Sequence, residues 1–307
     1  MNYQRLITSF KQVPTIGKIA LTLAILLLIS VIIMRYAPVK EGFMQNQNFL
    51  LHEGSKVFDE FYVNVYDAFV FNEVKNNYEI GEIMKKTNPD DESIIVDIGS
   101  GTGHHVGKLV EQGFNASGFD ISPHMVSKAK QNYPNAEFKV ADALDPNALP
   151  PESVTHLLCL YLTLYYFKNK RQFFENCYNW LMPGGYLAIH LVNKDKFDPI
   201  LPAGNPLDLV SVQDYTNERI TETNVKFDGF EYRGIFEQFP NDLARYKEIF
   251  TDDNTKKVRQ NEHVLYMQTQ KEILGEARDA GFLVLAQIDL LSVSYDYQYV
   301  YILQKPT

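Results

Sequence analysis

The chain has 307 residues, of which 45% are hydrophobic, and a formal net charge of −9. This length and apolar content are sufficient for an α/β domain with a full hydrophobic core. The first 40 residues hold five of the 29 basic residues and none of the 38 acidic ones, so the rest of the chain is strongly acidic. Because the phosphates of a nucleic acid bind to a basic surface, this charge argues against a nucleic-acid substrate.

An apolar run from Ile19 to Met34 contains no charged residue and lies between Lys18 and Arg35. A helix of this length is slightly short for a bilayer core of ~30 Å, but the flanking basic side chains can reach the interface. We predict that residues 1–36 form a tail and a single-pass transmembrane anchor that contacts lipid through residues 19–34. A buried core helix and a cleaved signal peptide fit the run less well, and the flanking basic residues leave the orientation across the membrane open.

Residues 37–50 contain Pro, Gly, Asn and Gln and are predicted to be a linker to a folded domain over residues 51–307. Tyr62, Tyr66 and Phe69 recur at helical spacing within residues 58–71, and a second helix is predicted over residues 79–86.

The most informative part of the sequence is residues 94–103, where the pattern of a buried strand is followed by glycines at alternate positions. Glycine lets the backbone turn sharply and approach a ligand, and the N–H groups at the start of the next helix attract a polar ligand. Gly99, Gly101 and Gly103 give the spacing G-x-G-x-G, whereas a dinucleotide fingerprint would need its third glycine at the position of His104. With Asp97 two residues before the first glycine, the run argues against NAD and for another nucleoside ligand.

Four more apolar runs follow, over residues 115–120, 137–144, 155–161 and 181–190, with helical stretches between them. Ser122 and Pro123 form a helix start after the second strand. Strands that alternate with helices in this way indicate a parallel sheet with right-handed crossovers.

Asp97 with the glycines, Asp120 at the end of the second strand, the Asp142-Ala143 pair and the Pro-Gly-Gly turn at residues 183–185 occur in the order found in one known family. Over residues 55–195 the chain resembles the class I S-adenosylmethionine-dependent methyltransferases, in particular the small-molecule type. The resemblance implies a Rossmann-like, mostly parallel seven-stranded sheet with helices on both faces, and S-adenosyl-L-methionine as cofactor. In this family a segment equivalent to residues 58–67 lies over the cofactor as a cap.

The resemblance also implies a role for individual residues. Asp97 and the glycine loop would hold the methionine end of the cofactor, Asp120 the ribose, and Asp142 with Ala143 the adenine edge. The full set of expected cofactor contacts is Tyr62, Asp97, Gly99, Gly101, Gly103, Asp120, Ile121, Asp142, Ala143 and Leu160. For the acceptor we expect Tyr66, Tyr161, Thr163 and Tyr165. No motif marks a general base, and the candidates by position are His190 and Tyr161. Because the cysteines and histidines show no metal-ligand spacing, no metal is expected.

Residues 194–266 depart from the family pattern, since several prolines precede stretches of alternating apolar and polar residues. We predict a small antiparallel β insertion that covers the acceptor site, followed by a helix over residues 269–280 and a closing strand pair. The predicted function is methyl transfer from S-adenosylmethionine to an unidentified acceptor, either a small molecule or a membrane-associated one. The alternatives are a catalytically silent binding or scaffold protein of the same fold, and a lipid or protein methyltransferase.

Overall fold

The computed structural model describes residues 45–201 and 216–307, together with positions 14, 17–19, 22–24, 26, 211 and 213. The chain divides into a unit of residues 1–42 and a unit of residues 43–307. In the first unit, residues 17–19, 22–24 and 26 are helical. Most of the predicted anchor, residues 19–34, lies outside the described residues, and none of the helices in the described part is both long and apolar enough to cross a bilayer.

The larger unit alternates strands and helices through most of its length. In chain order the described elements are β1 (Phe49–Glu53), α1 (Glu60–Val70), α2 (Glu73–Thr87), β2 (Ile94–Ile98), α3 (His104–Glu111), β3 (Asn115–Asp120), α4 (Pro123–Asn132), β4 (Glu137–Val140), β5 (Val154–Cys159), α5 (Lys170–Trp180), β6 (Leu181–Val192), β7 (Glu222–Lys226), β8 (Phe230–Phe239), β9 (Leu243–Asp252), β10 (Val258–Tyr266), α6 (Gln270–Asp279), β11 (Leu283–Asp289) and β12 (Gln298–Gln304). Local signals explain two helix starts. Ser122 caps α4 ahead of Pro123, and Thr269 and Glu272 form a reciprocal capping box at α6.

The central sheet has seven strands among the described residues, in the order β11-β12-β6-β5-β2-β3-β4. Neighbouring strands from β6 to β4 are parallel, whereas β12 is antiparallel to both β6 and β11. The predicted Rossmann-like α/β sheet is therefore confirmed as a mixed sheet, in which the closing strand pair supplies the antiparallel part.

Apolar layers cover both faces of the central sheet. In β2, Ile95 belongs to one hydrophobic cluster, whereas Val96 and Ile98 belong to a second one. Because successive strand residues point to opposite faces, the two clusters lie on opposite sides of the sheet. The first cluster includes residues of α2, α3 and α4, and the second includes residues of α1, α5 and α6, so helices pack on both faces as predicted.

A second sheet, here called the insertion sheet, has the strand order β1-β10-β9-β8-β7 in the described part of the chain. Its strands β7 to β10 pair antiparallel, which agrees with the predicted antiparallel layer within residues 194–266. Alternate residues of β9 and β10 are buried, so this sheet presents one face to the interior.

Strand β1 differs from the prediction. Residues 49 and 50 were expected to belong to a linker, but they begin a strand that pairs parallel to β10 from Phe49 with Val258 to Glu53 with Glu262. The partner strand is about two hundred residues away in the sequence, and the strand itself has only five residues. The insertion sheet is therefore closed by a strand from the beginning of the domain.

Candidate functional site

The loop after β2 is shaped by three glycines with positive φ, at 69° for Gly99, 53° for Gly101 and 89° for Gly103. The N–H groups of Gly99 and Ser100 donate to the Phe119 carbonyl at 2.8 and 3.0 Å, which holds the loop against the end of β3. A Cβ on Gly103 would lie 2.7 Å from the Phe138 ring. Gly99 and Gly101 line the cavities described below, whereas Gly103 does not and serves the turn into α3.

Asp120 lies beside this loop at the carboxyl end of β3. Its Oδ2 accepts the Gly101 N–H at 3.0 Å and its Oδ1 accepts the Ser122 N–H at 2.8 Å, so the carboxylate braces the glycine loop. Burial raises the pKa of Asp120, and these backbone hydrogen bonds oppose the rise. Each carboxylate oxygen can accept a further hydrogen bond, and this is the arrangement that two vicinal hydroxyls require.

The predicted adenine side continues along the ends of β3 and β4. Ile121 is 49% exposed and lines the main cavity, with its apolar side chain available to a flat ring. Asp142 and Ala143 line the same cavity, and Asp142 Oδ1 accepts the Leu144 N–H at 2.9 Å. The structure thus brings Asp120, Ile121 and Asp142 to one wall, as the sequence predicts.

The main cavity has a volume of about 360 Å³ and a lining that is rich in Phe and Tyr side chains. Tyr62 and Tyr66 of α1 lie along it, as expected for a cap. Helix α1 is capped by Asp59, whose side chain accepts the Tyr62 N–H at 3.1 Å. Arg259 of β10, which is 3% exposed, donates to both oxygens of Asp59 at 2.8 and 2.9 Å. The cap is therefore fixed to the insertion sheet by a bidentate ion pair.

A smaller cavity of about 90 Å³ adjoins the glycine loop, and its lining includes the ionisable side chains of Lys75, Glu79 and Asp97. It is lined by Asp97, which is 2% exposed, and by Leu160, Tyr161 and Thr163 after β5. Burial raises the pKa of Asp97 to about 7, and the nearby His105 only partly offsets this effect.

Helix α2, the glycine loop and the start of α3 supply the other polar groups of the smaller cavity. Lys75 Nζ lies 2.7 Å from Glu79 Oε1, and His105 Nε2 lies 3.3 Å from Glu79 Oε2. Burial alone would raise the pKa of Glu79, but Lys75 and His105 lower it to about 2. Three buried side-chain atoms of residues that line this cavity, Asn76 Oδ1, Ser100 Oγ and His104 Nε2, have no hydrogen-bond partner within the described ranges, although His104 Nε2 lies 3.1 Å from Asp67 Oδ1. Unpaired buried polar atoms indicate a polar ligand.

The insertion contributes the opposite wall of the main cavity. Sequence reasoning did not single out its lining residues, which are Phe197, Asp198, Pro199, Ile200, Leu201, Phe236, Tyr246, His263 and Leu265. A signal was present in the sequence, because Glu248 and His263 are polar residues at positions that the alternation assigns to the buried face of β9 and β10.

Two expected site residues lie elsewhere. Tyr165 is completely buried in the core, where its hydroxyl accepts the Val192 N–H at 2.9 Å, and Tyr166 lines the cavity instead. The reason is the 3₁₀ turn Thr163–Tyr166, in which neighbouring side chains point in different directions. His190 is also fully buried and lines neither cavity. Its Nδ1 donates to the Tyr161 carbonyl at 2.5 Å, and burial lowers its pKa to about 4. It is therefore not positioned as a general base.

Tyr161 lines both cavities and has a left-handed backbone, with φ of 52°. Burial raises the pKa of its phenol well above the usual value, so the hydroxyl stays protonated and is not itself a strong base. Among the residues that the structure describes, no cluster of three His, Cys, Asp or Glu side chains could hold a metal ion.

Comparisons with known proteins agree with this geometry. Residues 96–189 match the profile of the family described as "Methyltransferase domain". Over 99 residues the chain is 30% identical to trans-aconitate 2-methyltransferase of Delftia acidovorans, which covers 32% of this chain and 37% of that protein. Over 130 residues it is 29% identical to a 23S rRNA (guanine(748)-N(1))-methyltransferase of Streptomyces fradiae, covering 42% of each. The chain thus spans less than half the length of these curated relatives.

The fold is also that of a solved protein. An S-adenosylmethionine-dependent methyltransferase from Clostridium acetobutylicum superposes with a TM-score of 0.60 over 80% of this chain and 96% of its own, at 17% identity. The profile match agrees with the predicted methyltransferase domain over residues 96–189, and the likeness to the Clostridium acetobutylicum structure shows the fold.

Proposed function

We propose that the protein is a methyltransferase that transfers a methyl group from S-adenosylmethionine to a small-molecule acceptor. The observation that carries the proposal is the construction of the main cavity. One wall is formed by the glycine loop, Asp120 and Asp142, and the other wall by the insertion sheet, with the α1 cap across both. This arrangement provides a nucleoside site and an adjoining acceptor site at the carboxyl ends of parallel strands.

The polar groups present fit the cofactor. Asp120, Ile121 and Asp142 all line the main cavity, and we propose that they bind the ribose, the adenine face and the adenine edge, respectively. Asp97 and the unpaired Asn76 Oδ1 line the smaller cavity, where an ammonium group would find acceptors. When bound, the cofactor supplies a sulfonium methyl that is already activated for displacement, so the protein needs to bind, orient and exclude water.

The acceptor side favours a small, neutral or cationic molecule. The cavity of about 360 Å³ must hold part of the cofactor as well, and its lining is mainly apolar and aromatic with few charged groups. Residues beyond position 40 carry the whole acidic excess of the chain, which disfavours a nucleic-acid acceptor even though one curated relative is named for an rRNA substrate. The relative named for trans-aconitate supports an acceptor of small size.

Calorimetry and product profiling test the proposal. The full chain should bind S-adenosylmethionine more tightly than NAD, and Asp120→Ala should lower the affinity by about 1.5–3 kcal/mol because charge-assisted hydrogen bonds are lost. A labelled methyl donor, incubated with soluble and membrane extracts, should label a small molecule. Tighter binding of NAD would overturn the proposal, and cofactor binding without any transfer would favour a silent binding or scaffold protein.

We also propose that residues 19–34 anchor the protein in a bilayer. The support is the uncharged apolar run between Lys18 and Arg35. Carbonate extraction of membranes that contain the full chain tests this proposal directly. Retention in the pellet supports the anchor, and release into the supernatant would overturn it.

A further inference from the structure

A line of hydrogen bonds leads from the wall of the main cavity into the insertion sheet. Tyr166 Oη, in the cavity wall, lies 2.8 Å from His263 Nδ1, and His263 Nε2 lies 2.8 Å from Glu248 Oε2. His263 is 4% exposed and Glu248 is not exposed at all. Tyr166 and His263 both line the cavity, whereas Glu248 lies behind them.

Glu248 sets the direction of these hydrogen bonds. A carboxylate only accepts, so the contact with Glu248 places a proton on His263 Nε2 and leaves Nδ1 as an acceptor. Tyr166 then donates its hydroxyl hydrogen to Nδ1, and its oxygen keeps lone pairs that can accept a hydrogen from a molecule in the cavity. A carboxylate, an imidazole and a hydroxyl are linked in the same order in other proton-transfer sites, although the two ring nitrogens have exchanged roles here.

The surroundings of His263 favour a chemical role. Tyr232 donates to Glu248 Oε1 at 3.2 Å, and Asn261 donates to Oε2 at 3.5 Å. The rings of Phe58, Tyr62, Tyr166 and Tyr246 lie 5.7 to 6.3 Å from the imidazole and shield it from water. Burial of the Glu248 carboxylate costs free energy of folding, because the charged form loses its hydration. Buried ionisable groups beside a cavity are more often found at functional sites than elsewhere.

We propose that Tyr166, His263 and Glu248 form a proton relay that deprotonates a protic acceptor, an amine or a hydroxyl compound, during methyl transfer. This inference rests on the proposed function. The acceptor's lone pair forms the bond to the methyl carbon as the carbon–sulfur bond breaks and its electron pair goes to sulfur. The acceptor's proton passes to Tyr166 Oη while the Tyr166 proton passes to His263 Nδ1, and Glu248 stabilises the resulting imidazolium.

The relay also explains why the tyrosine does not act alone. Burial raises the pKa of Tyr166 well above its usual value, so formation of its negatively charged phenolate is unfavourable. A neutral phenol that gives one proton as it takes another avoids that charge. Acceptors without a proton to lose, such as carboxylates and thioethers, do not need the relay.

Histidine ¹⁵N NMR of the ligand-free full chain in detergent tests the arrangement without turnover. We expect the ring proton of His263, identified by the signals that His263→Gln removes, to lie on Nε2. Tyr166→Phe should shift mainly the Nδ1 resonance, whereas Glu248→Gln should shift mainly Nε2. A proton on Nδ1 in the unaltered protein would overturn the relay.

Turnover gives the second measurement, with labelled S-adenosylmethionine and a panel of small amines, alcohols, phenols and carboxylates. Tyr166→Phe and His263→Gln should each lower kcat by about 100-fold or more, with the affinity for S-adenosylhomocysteine unchanged within about threefold. Tyr165→Phe is the matched control, because it removes the adjacent buried hydroxyl outside the cavity and should leave kcat within about threefold.

The outcomes separate the two proposals. A wild-type protein that does not bind S-adenosylhomocysteine would overturn the proposed function. Binding together with an unchanged kcat in Tyr166→Phe, or methylation confined to carboxylates, would overturn the relay alone. A loss of cofactor affinity that equals the loss of kcat would show that Tyr166 holds the fold of the cavity and would likewise overturn the relay.

Discussion

Cofactor affinity should depend on pH through one carboxyl group, Asp97. This residue is 2% exposed, and burial raises its pKa to about 7 in the ligand-free protein. An ammonium group bound beside it favours the ionised form and therefore lowers its pKa. Binding then releases a proton, and affinity rises as the pH rises through 7 and falls below it.

The size of the effect follows from the pKa. Below about pH 7 each unit of pH should weaken binding by about tenfold, so affinity should fall by about 100-fold, or about 2.7 kcal/mol, between about pH 8 and pH 5. Asp97→Asn has no proton to release at this site. Its affinity should be lower at about pH 8 and should lack this pH dependence.

Calorimetry with S-adenosylhomocysteine, which keeps the amino-acid end and does not react, is the suitable assay. The ratio of wild-type to Asp97→Asn affinity cancels the titration of the ligand itself. His105, Glu79 and Asp120 face Asp97 and are present in both proteins, so effects of these groups that do not depend on Asp97 also cancel in the ratio. A ratio that stays constant across this pH range would refute the placement of Asp97 at the ammonium group.

Unfolding of the ligand-free protein gives an independent check on the same group. A carboxyl whose pKa is raised on folding favours the folded state at low pH, and this contribution is lost as the pH rises through the folded pKa of about 7. Asp97→Asn should therefore gain stability relative to wild type between about pH 4 and pH 7, by a few kcal/mol. Equal stability of both proteins at all pH values would contradict the raised pKa.

Three further predictions concern the glycine loop, the α1 cap and Tyr161 in the wall of the main cavity. In denaturant titrations, Gly103→Ala should lower the free energy of unfolding by about 1–3 kcal/mol more than Gly113→Ala does. Both glycines have a positive φ, but only Gly103 lacks space for a Cβ, so equal losses of stability would contradict this prediction. Arg259→Met should lower the free energy of unfolding by about 1.5–3 kcal/mol, because Asp59 loses its ion pair. Amide hydrogen exchange at the start of α1 should become faster, and unaltered exchange would show that the ion pair does not hold the cap. Tyr161→Ala should lower turnover or acceptor affinity while cofactor affinity stays within about threefold, and a parallel loss of stability and cofactor affinity would place Tyr161 in the core.

The central sheet was predictable because its strands are continuous apolar runs with turn signals between them. The glycine loop, Asp120 and Asp142 all follow such runs. Because the carboxyl ends of parallel strands share one edge of a sheet, the sequence predicts that these residues lie close together. Their contacts with a cofactor stay predictions.

The insertion sheet was less accessible to sequence reasoning. The alternation within residues 194–266 predicts strands, but it does not give their register, so the approach of Glu248 on β9 to His263 on β10 could not be derived. Strand β1 was missed because its partner lies far away in the chain and its own apolar pattern is short. The sequence predicts Tyr165 in the acceptor pocket, whereas Tyr166 lines the cavity. The two residues are adjacent in a 3₁₀ turn, and the periodicity of the sequence does not determine which of them faces the cavity.

The ion pair between Arg259 and Asp59, together with the pairing of β1 with β10, has a consequence for how this domain can be altered. An insertion is usually a detachable module, and removing it leaves the parent fold intact. Here, deletion of the segment from β7 to β10 would expose the edge of β1 and leave Asp59 without its buried guanidinium at the start of α1. Helix α1, which lies along the main cavity, thus depends on a residue two hundred positions downstream, so a shortened domain without this segment would lose the contacts that hold the start of α1.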